Sequence, residues 1–594
     1  MQTLPLPDLS TAIERLKHWL APLVDEAVYA KTQEAVDVFA KRDGEHLYTA
    51  LLVQAQAKAP ESWLMALWQR QFLLNRESLP FSNNNLTLKI DWKAPQTGLK
   101  RVAHFAIAMA RVHQLYLREP EKLQEELAEL GLGSEQYCLA QWEVLKGAVR
   151  RPNAQKDEVV VYEPKADEPA HIVLIYQGHA WKVQIMDGKG DLANAAQLEN
   201  VLYEILQETQ VEKTVPFTTP SLLPAEIALE VRAQLLCRDE NAKIMQALSR
   251  AWFVLTLDNV HYLDESEAFF NAAFGQGDDY WAHKPLNYVC YLKDDRFFLH
   301  FDHSFLDAAA AVDMLALGQR LLDKSAQYPR KNKLADNLSL TPLNWMIDGR
   351  RNSAENGSKG EGSDGTYGML YEALTLFRRQ SETLMVSMYD VFMTDEEKRL
   401  LRDYSLSGVI QLLLQYAQFI TYGEVRHTSQ SLDMRHFYHG RSDTIATVTK
   451  DSLEAVYALA EHRLSVKQLQ QAVQIHEKRV KLSQNGGGIN GFWLAMRYMG
   501  EVQGVQIDLL QDEGLLTLLN PFVATIESSN HHSEGKLVFA PPQENGLAVS
   551  YNASRNYCDF VITHKRSKIN EVEKFTRAIG SGLKQILLLL REQQ

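Results

Sequence analysis

Among the residues whose types and spacing suit chemistry, the richest group is FFLHFDHSFLDAAAAVDML, residues 297–315. An aromatic, β-prone run reaches Phe301 and an alanine-rich helical run begins near Asp307. His303 is therefore displayed at a strand-to-helix junction, where backbone is firmly held and solvent is within reach. An imidazole with an ordinary pKa of about 6.5 offers a neutral nitrogen at physiological pH, and that nitrogen can take a proton from an alcohol as it attacks. The same residues admit a structural reading: Ser304-x-x-Asp307 has the form of a helix capping box, and a single histidine at a strand end often only packs. A metal cluster at His300, Asp302 and His303 is not expected, because 300 and 302 share one strand face and 303 lies on the other. By themselves these residues leave catalysis and structure both open.

The elements that must position them follow from periodicity. From Thr11 to about Lys93 the pattern predicts helices, opened by Thr11-x-x-Glu14 as a capping box and carried on by Trp63, Leu64, Leu67 and Trp68. Another helix is expected after Pro120. Residues 171–176 and 181–186 read as a hairpin closed by Gln177-Gly178-His179-Ala180, with a helix over about 195–207 behind it. A helix around 225–249 and strands at 252–257, 286–292 and 296–301 complete the approach to His303. Residues 348–368 contain no Val, Ile, Leu or Phe and predict an exposed loop, which sets the boundary between two halves. Beyond it the pattern is helical to about residue 482 and glycine-rich at 486–488. It is then mixed, with strands near 522–527, 536–539, 547–551 and 557–563. In the last helix Val572, Phe575, Ile579, Leu583, Ile586 and Leu590 share one face, the mark of core packing.

With 594 residues, 45% hydrophobic and 23% charged, the chain can bury two sizeable cores. A net charge of −13 and the lack of a basic run with interleaved aromatics argue against a nucleic-acid partner. Cys138, Cys237, Cys290 and Cys558 lie far apart, so neither a disulfide framework nor a zinc knuckle is suggested and a reducing compartment fits. No P-loop or dinucleotide-binding glycine motif follows a strand. The N-terminus lacks a signal-peptide pattern, and no apolar run approaches the roughly 18 to 20 residues needed to span a bilayer. A cytoplasmic protein, monomeric and without an integral membrane segment, is expected.

The wider sequence resembles the choline/carnitine O-acyltransferases, a branch of the chloramphenicol acetyltransferase-like superfamily whose H-x-x-x-D pattern is met by His303-Ser-Phe-Leu-Asp307. Residues 279–308 (DYWAHKPLNYVCYLKDDRFFLHFDHSFLDA) and 427–444 (HTSQSLDMRHFYHGRSDT) look like two of that family's characteristic blocks. LPLPDL near the start and segments at 171–190, 250–258, 537–552 and 558–564 agree with it in order. The resemblance implies an α/β fold of two chloramphenicol-acetyltransferase-like halves, each a mixed sheet packed with helices, with an active-site tunnel at their interface. The expected organisation is a helical segment over 1–94 packing with the C-terminal half, a half over 95–347 carrying His303, the linker at 348–368, and a half over 369–594. It further implies an acyl-CoA-dependent O-acyltransferase with CoA and a small alcohol as substrates and no permanently bound cofactor or metal. His303 would be the general base, Asp307 its structural partner, and Ser529 of Glu527-Ser528-Ser529 the oxyanion donor, where the family has a serine in place of Glu527.

The acceptor and CoA positions depart from the family. Its carnitine-binding tyrosine, threonine and arginine fall on Ser429, Ser442 and Gly491, so one hydroxyl survives and the cation is gone; a shift in alignment that lets Arg497 serve instead stays open. With Thr444 and Phe560, Ser429 and Ser442 make up the candidate acceptor set. For the 3′-phosphate of CoA, a two-residue shift brings in Lys398 and Arg402, four apart and expected on one helix face. Cys558 falls where the family lines its acyl pocket, with burial as a small hydrophobe the plain alternative. Carnitine, a different small alcohol, an acyl-carrier-protein donor and a non-catalytic acyl-ligand binder all remain compatible with these residues.

Overall fold

The structure is a computed structural model; it describes residues 1–593 apart from 134–135, 210, 328–337, 348–364, 529–534 and 554–556. Two mixed sheets organise it. The first has eight strands in the order Leu537–Phe539, Asn85–Ile90, Arg296–Asp302, Asn287–Tyr291, Val254–Asp258, Ala170–Tyr176, His179–Met186 and Leu340–Leu343. The second has six, in the order Leu384–Phe392, Tyr557–Lys565, Leu547–Ala553, Val523–Glu527, Thr428–Asp433 and Ser442–Ala446.

The halves are stitched together by the strand Leu537–Phe539, which follows the second sheet's Val523–Glu527 in the chain but pairs antiparallel with Asn85–Ile90 of the first. Ser550 in the second sheet donates to the Leu537 carbonyl at 2.6 Å, fastening the crossing. The four N-terminal helices, Leu9–Leu20, Glu26–Phe39, Glu45–Lys58 and Met65–Leu73, bury an apolar face with Leu432, Met434, Ile445 and the helix Asn490–Gln503.

Local chemistry sets the ends of several elements. The hairpin at 170–186 turns on two residues, Gln177 and Gly178, with φ of 48° and 72°; His179 and Ala180 are already strand. Two consecutive left-handed residues match the twist of the flanking strands, which is why a glycine sits there. The helix Leu406–Tyr422 starts on the Ser405 side chain, which accepts from the Gly408 N–H, and stops at left-handed Gly423. It packs against the final helix Ile569–Arg591, whose Val572, Phe575, Ile579, Leu583, Ile586 and Leu590 are all buried.

Several expectations from periodicity are corrected. The first helix is capped by Asp8, which accepts from the Thr11 N–H, and not by Thr11. The stretch expected to stay helical to residue 93 ends in the strand Asn85–Ile90, and three further strands, Leu384–Phe392, Thr428–Asp433 and Ser442–Ala446, interrupt the helices expected up to 482. Residues 348–364 of the expected linker lie outside the described residues, and Thr366 already begins a helix.

Candidate active site

Strand Arg296–Asp302 runs antiparallel to Asn85–Ile90, with Asp302 opposite Asn85, and His303 leaves its end held by an N–H bond to the Asn84 carbonyl at 2.6 Å. Asp302 is buried; its carboxylate accepts from the Ser304 N–H at 2.8 Å and faces Arg150 at 3.6 Å. The next helix starts only at Ala308, so Ser304 does not cap it, and the turn 303–307 is shaped by side chains brought from elsewhere.

Those side chains converge on Asp307. Arg441 meets it with two parallel bonds, Nε to Oδ2 and Nη2 to Oδ1, both 2.9 Å. Gln141 donates to Asp307 Oδ2 at 2.9 Å and accepts from the Asp307 N–H at 2.7 Å. Arg441 also donates to the His303 carbonyl at 2.6 Å and the Ser304 carbonyl at 3.3 Å, so one guanidinium fixes both ends of the turn. Arg435 adds a buried pair with Asp313 at 2.6 Å, on the helix that follows.

His303 Nε2 lies 3.3 Å from Asp307 Oδ1. Nδ1 is buried and unpartnered among the described residues, and His303 forms part of the wall of an open space. One side of the ring packs on Phe72, with centroids 4.6 Å apart. Burial pushes the His303 pKa from 6.5 down to about 4; Asp307 opposes the shift and Arg441 adds to it. Burial tends to raise the Asp307 carboxyl, but Arg441 and then His303 outweigh it and hold the group below its ordinary 3.8. The arrangement keeps an uncharged imidazole beside a charged, fully paired carboxylate.

The open space is a cavity of about 810 Å³ between the two sheets, lined by His303, Trp68 and Phe72 on one side and Ser429, Ser442, Thr444, Thr525 and Trp493 on another. It brings together His303 and three of the four acceptor candidates. Phe560 is not among its walls: on strand Tyr557–Lys565 it shares with Cys558 and Ile562 the face toward the helical layer and is 1% exposed there. Cys558 is core for the same reason. Gly491 turns to Leu64, which a Cβ at that position would meet at 2.5 Å, so an arginine there would point away from the cavity; Arg497 on the same helix lines it instead. Lys398 and Arg402 do not share a helix face, since the helix Asp395–Leu400 ends before Arg402, and neither lines the cavity. Each meets an acidic neighbour, Asp395 at 3.0 Å and Asp403 at 3.4 Å. Ser529 lies outside the described residues.

Sequence reasoning missed Arg441 and Gln141. Arg441 stood inside a quoted block with no role given to it, and Gln141 offered no signal, because its partner is 166 residues away. The turn that presents Arg441 depends on Gly440, where a Cβ would lie 1.9 Å from the Met434 carbonyl oxygen. Backbone, not a movable side chain, blocks it. Gly440→Ala is expected to cost roughly 1–3 kcal/mol and to lower the thermal midpoint in calorimetry; an unchanged midpoint would show that this turn yields freely.

Comparison with known proteins matches this sequence to a family. The sequence model for choline/carnitine O-acyltransferases matches residues 4–581. Mitochondrial carnitine O-palmitoyltransferase 2 of Bos taurus is 20% identical over 619 residues, covering 98% of this chain and 90% of that protein. Human peroxisomal carnitine O-octanoyltransferase is 21% identical, covering 87% and 84%, and rat carnitine O-acetyltransferase is 21% identical, covering 94% and 88%. Among solved structures, trichothecene 15-O-acetyltransferase from Fusarium sporotrichioides superposes with a TM-score of 0.42 at 10% identity over 87% of this chain and 94% of that one. A match running through nearly the whole chain, with His303 and Asp307 inside it, places the protein in the choline/carnitine O-acyltransferase family of acyltransferases.

Proposed function

We propose that the protein moves an acyl group between the CoA thiol and the hydroxyl of a small alcohol, with His303 as general base. The observation that carries the reading is His303 itself, which lines the cavity on a turn locked through Asp307 by Arg441 and Gln141. In the forward direction the neutral imidazole takes the proton of the acceptor hydroxyl as its oxygen attacks the thioester carbonyl. The tetrahedral oxyanion then collapses, the carbon–sulfur bond breaks, and the departing thiolate takes the same proton back from the imidazolium. Asp307 steadies the imidazolium while it lasts. Ser529 is assigned the oxyanion contact, a donor typically worth roughly 2.7–4 kcal/mol of barrier.

The test is thiol release from acetyl-, octanoyl- and palmitoyl-CoA in the presence of small alcohols, L-carnitine and choline among them, against a His303→Ala control. Release that needs both an alcohol and His303 supports the reading; silence with every acceptor would leave a protein that binds acyl ligands without turnover. A carrier-protein donor is the second reading, favoured by Lys398 and Arg402, which neither share a helix face nor line the cavity. Equal rates with acyl-CoA and an acyl-pantetheine lacking the 3′-phosphate would select it. No helix among the described residues is long and apolar enough to cross a membrane, and with four unpaired cysteines a cytoplasmic location is proposed.

A general base works only while neutral, so its pKa fixes the acid side of the rate profile. With His303 held at about 4, kcat/KM is expected to stay level from pH 7.5 to 5.5, with no break near 6.5. Stability changes over the same window. Burial also lowers His113, His283 and His300 to about 3, and each is taken as near 6.5 when unfolded. Below pH 6.5 the unfolded chain alone binds these protons, so stability falls as the pH drops, by about 1.4 kcal/mol per unit for each group. Urea midpoints should therefore decline from pH 7.5 to 5.5 while kcat/KM does not; a rate break at 6.5 would mean that the base is exposed.

A further inference from the structure

We infer that the acceptor is a neutral, polyhydroxylated small molecule, a polyol or sugar, received on a floor of side-chain hydroxyls opposite His303; this rests on the acyl-transfer reading above. The floor is built by two antiparallel strands. Ser429 and Ser431 stand two apart on Thr428–Asp433, Ser442 and Thr444 stand two apart on Ser442–Ala446, and Ser431 is directly opposite Thr444 in the register. Period two puts all four on one face, and all four line the cavity that His303 enters. Among the described residues the hydroxyls of Ser429, Ser431 and Thr444 make no hydrogen bond within the protein, and the buried Ser442 Oγ has no partner either. A serine or threonine hydroxyl both donates and accepts. Neighbouring hydroxyls across a strand pair therefore return what a diol gives up when it leaves water.

The charge of the walls narrows the class. Of the described residues lining the cavity only Arg497, Glu544 and Lys565 have side chains of a charged type; Arg497 and Glu544 are exposed, and Lys565 Nζ donates to Thr383 Oγ1. Arg441, buried beside the floor, has its donors committed to Asp307 and the carbonyls of His303 and Ser304. A carboxylate brought onto the hydroxyl floor would lose its water and find no cation among the floor's own side chains. A quaternary ammonium would look for aromatic faces, and the floor of Ser429, Ser431, Ser442 and Thr444 presents none. A neutral polyol asks for nothing that the floor lacks.

The experiment measures thiol release from acetyl-CoA with sorbitol, glycerol, 1-propanol, L-carnitine and choline, beside saturation-transfer NMR of sorbitol on the unreacted protein. Saturable release with sorbitol or glycerol, at a KM at least tenfold below that for 1-propanol, is expected. So is a rise of tenfold or more in the sorbitol KM for the Ser431→Ala, Thr444→Val double variant. Saturation by carnitine or choline with sorbitol silent would overturn the inference and leave acyl transfer standing. If no alcohol supports release, the NMR decides separately: sorbitol saturation transfer that the double variant loses keeps the polyol floor and sinks acyl transfer. Its absence sinks the floor as well.

Discussion

His303→Ala should lower acceptor-dependent kcat/KM by about 10²- to 10⁴-fold, the range a positioned general base supplies, with folding unchanged. The loss is confined to chemistry because the imidazole is not a structural keystone. Its Nδ1 makes no bond among the described residues, its backbone N–H keeps the Asn84 carbonyl whatever the side chain, and Asp307 keeps its Arg441 and Gln141 partners. No buried charge is left unpaired, which is the event that usually makes such a truncation costly. A cavity does open beside Phe72, so the thermal midpoint should fall slightly, and the rate comparison belongs well below it. A variant that keeps more than a tenth of the parent rate, with alcohol still required, would sink the base assignment. His303→Gln, which restores bulk and polarity without basicity, should be as slow as alanine while recovering the midpoint.

His303 and Asp307 were legible as a pair because their spacing and junction are local properties of the chain, and the surrounding blocks tied them to a family. What surrounds them was not local. Asn85–Ile90 went unread as a strand although NLTLKI alternates polar and apolar residues, because the helical pattern before it was carried on to residue 93. Thr428–Asp433 went unread for a different reason: TSQSLD turns serines toward a polar cavity, so hydrophobic patterning is missing just where the site needs hydroxyls. Phe560 shows how a place in the acceptor set can mislead, since strand alternation sends the ring into the helical layer. Lys398 and Arg402 show the same for helices; four-residue spacing implies a shared face only if the helix lasts, and this one ends at Leu400.

The guanidinium of Arg441 carries the second large effect. Arg441→Ala would leave the Asp307 carboxylate buried, with Gln141 as its only remaining donor from another element among the described residues, and should cost about 3–5 kcal/mol of stability, as removal of one partner from a buried pair generally does. The same change frees the His303 and Ser304 carbonyls from their anchor, so the turn that aims the imidazole loosens. Arg441 now lowers the His303 pKa while Asp307 raises it; with the cation gone both changes act upward, and the acid side of the rate profile should move to higher pH. Arg441→Lys keeps a charge but not the planar fork, and one ammonium cannot serve two carboxylate oxygens and two carbonyls, so it should recover part of the stability and little of the rate. A cycle with Asp307→Asn separates the pair from its surroundings. The double variant should be more stable than the sum of the single losses predicts, because asparagine removes the charge that alanine strands. Full additivity together with an unmoved pH profile would mean that Arg441 holds the two halves together without acting on the base at all.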